Sequence, residues 1–275
     1  MRSRPENILL TFLIVINAVS IFGFATFGLH PELLSRWPWS VSIFAVSYPL
    51  FARLQILVAF ASLAVALSSV SRWRWWVSFA VLFSLSAASE LLGTTYGIPF
   101  GRYEYTEFLG PAILGRVPWL IPLSWFFMAV PSYRLAQLAV GEQSFAWLRV
   151  VVGSLLLLSW DITLDPAMSH LSPFWRWENP GAYYGIPARN LLGWFVTGLV
   201  LISVLESKFS RVWLSKVSSK FLVSFYLANL VLPVGMCVAA GLWLPVAITS
   251  GVAAALGFAI YLALRRELNV SFAKS

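Results

Sequence analysis

Long apolar runs constrain this sequence more than any other feature. Stretches of about 20 residues with few charged side chains recur along it, and each is long enough to cross roughly 30 Å of hydrocarbon as a helix. Of the 275 residues, 59% are hydrophobic and only 11% are charged, against about a quarter charged in a typical soluble domain. The sequence predicts an all-α, polytopic transmembrane helix bundle that forms one integral membrane domain over residues 1–275.

The apolar runs predict about eight spans. Their approximate bounds are 8–29, 51–70, 75–95, 118–140, 145–163, 191–205, 221–240 and 242–264. Residues 40–50 are also apolar, and they either lengthen the second helix or lie in the membrane interface. Two long connections, 96–117 and 164–190, carry the polar motifs, and an even number of crossings between them places both on one face of the membrane.

The distribution of basic residues predicts which face this is. With the N-terminus inside, thirteen of the 19 Lys and Arg residues fall on the inner face and six on the outer face, as the positive-inside rule expects. The thirteen are Arg2, Arg4, Arg72, Arg74, Arg134, Arg149, Lys208, Arg211, Lys216, Lys220, Arg265, Arg266 and Lys274. We therefore predict a multi-pass protein of the cell membrane with cytoplasmic termini. The net charge of +8 then requires no nucleic-acid partner.

Three acids stand out because they lie within or at the ends of apolar runs. Glu90 is in the third predicted span, Asp161 lies near the end of the fifth, and Asp165 lies just beyond the fifth span. Ionisable groups at membrane depth are costly and are usually functional. Residues i and i+4 share a helix face, so Asp161 and Asp165 address one site if the helix continues that far. Two close carboxyl groups in a low dielectric do not both ionise readily, which favours a general acid beside a base. Asp165 has a second interpretation, as a cap or turn residue before Pro166.

The two connections share the tetrapeptide Tyr-Gly-Ile-Pro, at 96–99 and 184–187. We interpret the repeat as two similar turns that cap two helices rather than as an internal duplication. Both connections are rich in tyrosine and tryptophan. Aromatic residues also form interfacial belts in membrane proteins, but here they alternate with acids and arginines. Aromatic faces beside an acid can stabilise a carbocation.

Two blocks carry a family resemblance. "SELLGTTYGIPFGRYEYTEFLGPAILGRVPWLIPLSW" and "WDITLDPAMSH…FWRWENPGAYYGIPARNLLGW" resemble the carotenoid biosynthesis membrane family that includes carotenoid 1,2-hydratases of the bisanhydrobacterioruberin hydratase type. The resemblance implies a hydro-lyase that adds water to the terminal double bond of an acyclic (ψ) carotenoid end group. It implies no redox cofactor, and its partners are the carotenoid, water and membrane lipid, with other carotenoid-pathway membrane enzymes as candidates.

The motif positions then predict the site residues. Glu90, Asp161 and Asp165 are the catalytic candidates, with Asp161 favoured as proton donor and Asp165 or Glu90 as the base that positions water, although the order can be reversed. The substrate-binding candidates either stabilise the cation, grip the chain or hold the carboxyl groups. They are Arg102, Tyr103, Tyr105, Trp175, Trp177, Tyr183, Tyr184 and Asn190.

Four alternatives stay open beside this interpretation. A membrane prenyltransferase uses Asp-x-x-x-Asp to hold Mg²⁺ on a diphosphate, but it needs a second Asp-rich segment that this sequence lacks. A lycopene cyclase shares the protonation step and quenches the cation internally. A transporter or scaffold uses the acids as a proton relay. Asp161, Asp165 and His170 form a weak candidate metal set, and we predict no metal and no cofactor.

Overall fold

The apolar runs fold into long helices. The structure, a computed structural model, describes the backbone of residues 4–272 and the side chains of residues 4–263. The predictions for Arg2 and Lys274, and for the side chains of Arg265 and Arg266, lie outside these described residues. The helices are α1 (Pro5–Gly23), α2 (Glu32–Ser35), α3 (Pro38–Ser71), α4 (Trp75–Tyr96), α5 (Leu120–Val140), α6 (Ala146–Asp165), α7 (Ala188–Glu206), α8 (Lys208–Leu214), α9 (Ser219–Ala239) and α10 (Trp243–Phe272).

Short non-α segments extend two of these helices. A π-helical segment, Phe24–Gly28, continues α1, and a second one, Pro166–His170, continues α6. Among the described residues, seven helical segments are long and apolar enough to cross a membrane. They are Pro5–Gly28, Pro38–Ser71, Trp75–Tyr96, Ala146–His170, Ala188–Glu206, Ser219–Ala239 and Trp243–Ala263. The predicted all-α, polytopic membrane bundle is confirmed.

The predicted fourth span forms α5, which is less apolar than these seven segments. Every residue from Leu120 to Gln137 is buried, because α3, α4, α6, α7, α9 and α10 surround this helix. A helix enclosed by protein does not face lipid, so it tolerates polar side chains such as Arg134. Since α4 ends and α6 begins at opposite ends of the bundle, α5 connects the two ends; the prediction that it is an eighth span stays a prediction.

The second predicted span is longer than expected. Residues 40–50 belong to α3, which runs without interruption for 34 residues and includes Pro49. At 1.5 Å per residue such a helix is roughly 50 Å long, well beyond the thickness of the hydrocarbon layer. The interpretation that this segment lengthens the helix is therefore the correct one.

A small sheet joins the two long connections, which the sequence analysis did not anticipate. Strand β1 (Tyr103–Tyr105) pairs antiparallel with β4 (Trp175–Trp177), so that Tyr103 lies opposite Trp177 and Tyr105 opposite Trp175. Strands β2 (Ala112–Ile113) and β3 (Val117–Pro118) form a second, two-residue pair. Because side chains alternate along a strand, the four aromatic residues of the first pair share one face. The exposed pair Glu104 and Arg176 occupies the other face.

The two Tyr-Gly-Ile-Pro turns have opposite relations to their helices. The first ends α4, with Gly97 in the left-handed conformation at φ 73°. The second leads into α7, which begins directly after Pro187. Phe100, just after the first turn, packs so closely on α7 that a Cβ at Gly193 would lie 2.6 Å from its ring. The two copies of the tetrapeptide thus lie at the same end of the bundle, one at the C-terminus of α4 and the other at the N-terminus of α7.

Candidate active site

Glu90 is buried near the C-terminal end of α4, surrounded by hydrogen-bond donors. The phenol of Tyr103 donates a short hydrogen bond to Oε2, and the phenol of Tyr105 donates to the same oxygen over 2.8 Å. The indole Nε1 of Trp125 donates to Oε1 over 2.8 Å. These three donors offset part of the cost of placing a carboxyl group in a low dielectric.

The two tyrosines are fixed in their donor form. Burial first, and the charge of neighbouring Glu90 second, raise the pKa of both Tyr103 and Tyr105 well above the usual value for a phenol. Both phenols therefore keep their protons across the physiological pH range. Their position follows from β1, whose alternation points both rings to the side of the strand that faces α4.

Asp161 and Asp165 lie together on one face of α6, as the four-residue spacing predicts. The amide Nδ2 of Asn190 donates to Asp161 Oδ2 over 3.2 Å and also makes a short contact with Asp165 Oδ2. The indole of Trp175 donates to Asp165 Oδ1 over 3.0 Å. Asp165 keeps a helical backbone and its carboxyl group contacts side chains from α7 and β4, so the structure does not favour the interpretation as a cap.

The environments of the two aspartates differ. Asp165 has partners on both oxygens, whereas Oδ1 of Asp161 is buried without a hydrogen-bond partner among the described residues. An unpartnered buried oxygen is costlier on a carboxylate than on a neutral carboxylic acid. This difference suits a pair that carries one proton.

A small cavity of about 30 Å³ lies between Glu90 and Asp165. It exceeds the roughly 10–15 Å³ that one ordered water needs. Asn190 and aromatic rings complete the wall, and Asp161 does not line it. The aromatic lining residues are Phe100, Tyr103, Tyr105, Trp125, Trp175, Trp177 and Trp194.

The rings around this cavity contact one another closely. The ring centroids of Tyr103 and Trp177 are 5.0 Å apart, and those of Tyr105 and Trp175 are 5.9 Å apart. Trp125 stacks on Trp194 at 3.9 Å. Ring faces carry negative electrostatic potential, so such a cage can stabilise a cation that develops between the carboxyl groups.

Three of the predicted substrate-binding residues lie elsewhere. Arg102 does not hold the carboxyl groups: its side chain is more than half exposed and its Nε lies 3.9 Å from Glu178 Oε2. Tyr183 donates to the carbonyl oxygen of Ile162 over 2.8 Å, and burial raises its pKa. Tyr184 packs on Tyr183 and His170, and neither tyrosine lines the cavity. No group of three or more His, Cys, Asp or Glu side chains that could hold a metal occurs in the described part of the chain.

Trp125 is the functional candidate that the sequence analysis missed. It lies in the second turn of α5 and approaches Glu90 only through the packing of α4 against α5. Trp194 of α7 reaches the same cavity in the same way. The only sequence signal for either residue is that Trp125 and Trp194 are the last residues of the two segments that carry the family resemblance.

Comparisons with known proteins find a matching family and a similar sequence. The sequence model of a family described as "Carotenoid biosynthesis protein" matches residues 51–256. A protein named bisanhydrobacterioruberin hydratase, from Haloarcula japonica, is 28% identical to this chain over 205 residues, which are 74% of the chain and 64% of that relative. The chain thus spans less than two thirds of the relative's length. No solved structure matches it. Since the family match covers most of its length, this membrane protein belongs to the carotenoid biosynthesis protein family.

Proposed function

We propose that this protein is a carotenoid hydratase, a hydro-lyase that adds water across the terminal C1–C2 double bond of an acyclic ψ end group. The product is a tertiary 1-hydroxy carotenoid. The observation that carries the proposal is that Glu90 and Asp165 line one aromatic-walled cavity, with Asp161 joined to Asp165 through Asn190. The name of the Haloarcula relative supports the same reaction class.

The first step is protonation of the alkene. The O–H bond of a carboxylic acid breaks, its proton forms a C–H bond at C2, and the π electrons leave a tertiary cation at C1. An unactivated alkene is a weak base, so the donor must be a carboxyl group that retains its proton near neutrality. Two close carboxyl groups in a low dielectric tend to share one proton, and we assign this proton to the Asp161–Asp165 pair as a whole. Asp165 rather than Asp161 delivers it to the alkene, because Asp165 lines the cavity and Asp161 does not.

The second step is capture of the cation by water. Glu90 lines the same cavity, and its three donors suit it to act as the carboxylate that orients a water molecule. The water oxygen bonds to C1, and the water proton passes to Glu90. That proton returns to the aspartate pair through the shared cavity before the next turnover, so no oxidant, reductant or cofactor is consumed.

The test is expression in a host that makes lycopene or γ-carotene. We expect a carotenoid whose mass has increased by one water, and ¹⁸O in that product when the culture contains ¹⁸O-labelled water. A ring-closed product without a mass change would indicate a cyclase, and a C5-extended product would indicate a prenyltransferase. An unchanged carotenoid beside well-accumulated protein would leave the transporter or scaffold alternative. EDTA treatment of the membranes should not reduce hydration.

The orientation in the cell membrane is part of this proposal. Reporter fusions after Ser71, Gly141 and Ser215 should report the cytoplasm, and fusions near Glu107 and Pro180 should report the outer side. The reverse pattern would move the site to the cytoplasmic face but would keep both connections together.

A further inference from the structure

A groove on the lipid-facing side of the bundle leads toward the carboxyl groups. It lies between α1, α3 and the π-helical end of α6, with a cavity volume of about 340 Å³. Phe22, Trp39 and Ile43 at its rim are 69%, 66% and 57% exposed. In a membrane protein such side chains face hydrocarbon, so the groove opens to lipid.

Three cavities follow one another from this groove to the site. The groove shares Ala52, Met168, Phe174 and Leu232 with an inner cavity of about 50 Å³. That inner cavity shares Ile121, Ser124, Leu164 and Trp175 with the cavity that Glu90 and Asp165 line. Adjacent cavities thus have common walls along the whole distance from the lipid to Asp165.

The surface of the groove is apolar although hydroxyl groups line it. Ser20, Ser40 and Ser47 donate to backbone carbonyl oxygens of their own helices or of the turn before them. Tyr48 makes a short hydrogen bond with Ser172. No Lys, Arg, Asp or Glu belongs to the described lining. A hydrocarbon therefore enters the groove without stripping water from an unpaired polar group.

A row of aromatic rings follows the groove inward. Ring centroids are 5.9 Å apart for Phe27 and Phe44, 5.4 Å for Phe44 and Tyr48, and 5.8 Å for Tyr48 and Phe174. The next residue, Trp175, donates to Asp165. The ring planes in these three pairs differ by 62°, 28° and 41°, so the row offers both ring faces and ring edges. Aromatic contacts add to area burial for a flat conjugated chain and not for a flexible saturated acyl chain.

We infer that this groove binds the polyene of the carotenoid and that its end group passes the Ala52–Leu232 junction to reach Asp165. The inference rests on the proposed function for the identity of the substrate. From Trp39 to Ala52 the groove follows fourteen residues of α3, roughly 20 Å of helix. The substrate thus enters sideways from the bilayer, with its conjugated chain on the aromatic row and its terminal double bond at the cavity between the carboxyl groups.

The experiment measures binding separately from turnover. Purified Asp165→Asn protein in detergent is mixed with lycopene, and a chiral protein site should induce circular dichroism in the visible absorption of the polyene. A size series at the junction, Ala52→Val, Ala52→Leu and Ala52→Trp, should weaken lycopene binding progressively, by at least tenfold for Trp. Ala45→Trp is the matched control, since Ala45 is exposed on the same helix and does not line the groove.

The outcomes separate this inference from the proposed function. Loss of the signal in Ala52→Trp but not in Ala45→Trp supports the groove, even if no hydrated product is ever found. Equal lycopene binding in Ala52→Trp and Ala45→Trp overturns the inference. The absence of an induced signal in both variants also overturns it. Copurification of a phospholipid that lycopene does not displace also overturns it, because the groove would then be a lipid site. Monodisperse elution of each variant confirms that it is folded.

Discussion

The two ends of this bundle bury acids in opposite ways. At the end opposite the cavity, Glu206 forms a two-point ion pair with Arg149, over 2.6 and 2.9 Å, and also accepts from Tyr133 over 2.7 Å. Arg211 lies 3.4 Å away. At the cavity end, no Lys or Arg of the described residues pairs with Glu90, Asp161 or Asp165, and only neutral donors contact these acids.

The partners of the acids, arginine at one end and neutral donors at the other, suit the two ends to different roles. An arginine beside a buried carboxylate holds it ionised, which is useful for packing and of no use for delivering a proton. Neutral donors orient a carboxyl group and leave its proton exchangeable. The chain thus uses its arginines where acids hold helices together, and tyrosine, tryptophan and asparagine where we propose chemistry.

The largest effect should come from removing the transferable proton. Asp165→Asn keeps the shape of the side chain but not the acid, and general acid–base catalysis typically contributes 10²–10⁴-fold. Hydration should therefore fall by that factor in a membrane assay, while the protein accumulates normally. Asp161→Asn should also be severely impaired, because the pair shares one proton. If Asp165→Asn hydrates carotenoid at the parental rate, the proton comes from another group, and Asp161 and Glu90 are next to be tested.

Glu206→Gln should show the converse behaviour. Breaking a fully buried ion pair typically costs about 3–5 kcal/mol. Arg149 is buried, but Glu206 is partly exposed and Arg149 keeps the carbonyl oxygens of Glu142 and Ser144 as acceptors, so the cost here should lie below that range. We expect a lower thermal midpoint in detergent and less protein in the membrane. The activity of each folded molecule should stay at the parental level. A loss of turnover without a loss of stability would show that the two ends are not separate in function.

The sequence predicts local features of the site and misses those that depend on distant packing. The aspartate pair follows from helical periodicity alone, because Asp161 and Asp165 are one turn apart on α6. The pairing of Tyr103 with Trp177 joins segments more than 70 residues apart, so no local pattern identifies the partner. The alternation in "YEY" and "WRW", with Glu104 and Arg176 of opposite charge in the middle, is the signal that was available.

Arg102 shows the converse case, a contact that the sequence suggested and the structure does not contain. Its place in a motif block suggested a partner for the carboxyl groups, but it directly precedes β1, and it lies with Glu178 on the exposed side. A strand reverses the side on which consecutive residues lie, so adjacency to Tyr103 argues against, rather than for, a position at Glu90. Only the strand assignment, which the sequence analysis lacked, makes this distinction.

A smaller effect is expected from the donors to Glu90. Tyr105→Phe removes one hydrogen bond to the carboxyl group and keeps the ring. Hydrogen bonds to charged groups contribute about 1.5–3 kcal/mol, so hydration should fall roughly ten- to hundredfold. The matched control is Tyr96→Phe, because Tyr96 is 65% exposed and makes no contact with Glu90. Parental activity in Tyr105→Phe would mean that Glu90 does not depend on this donor.

The smallest effect should come from the other ion pair at the same end as Glu206. Glu142 accepts from Arg134 over 2.6 Å, but its side chain is 54% exposed, so water competes with the arginine and screens the charge. Arg134 also donates to Gln137 over 3.1 Å and therefore keeps a partner when Glu142 is replaced. Glu142→Gln should match the parent in both thermal midpoint and hydration, within error. A drop as large as that of Glu206→Gln would show that burial does not decide which ion pairs hold this end of the bundle together, and the contrast between the two ends would then rest on their chemistry alone.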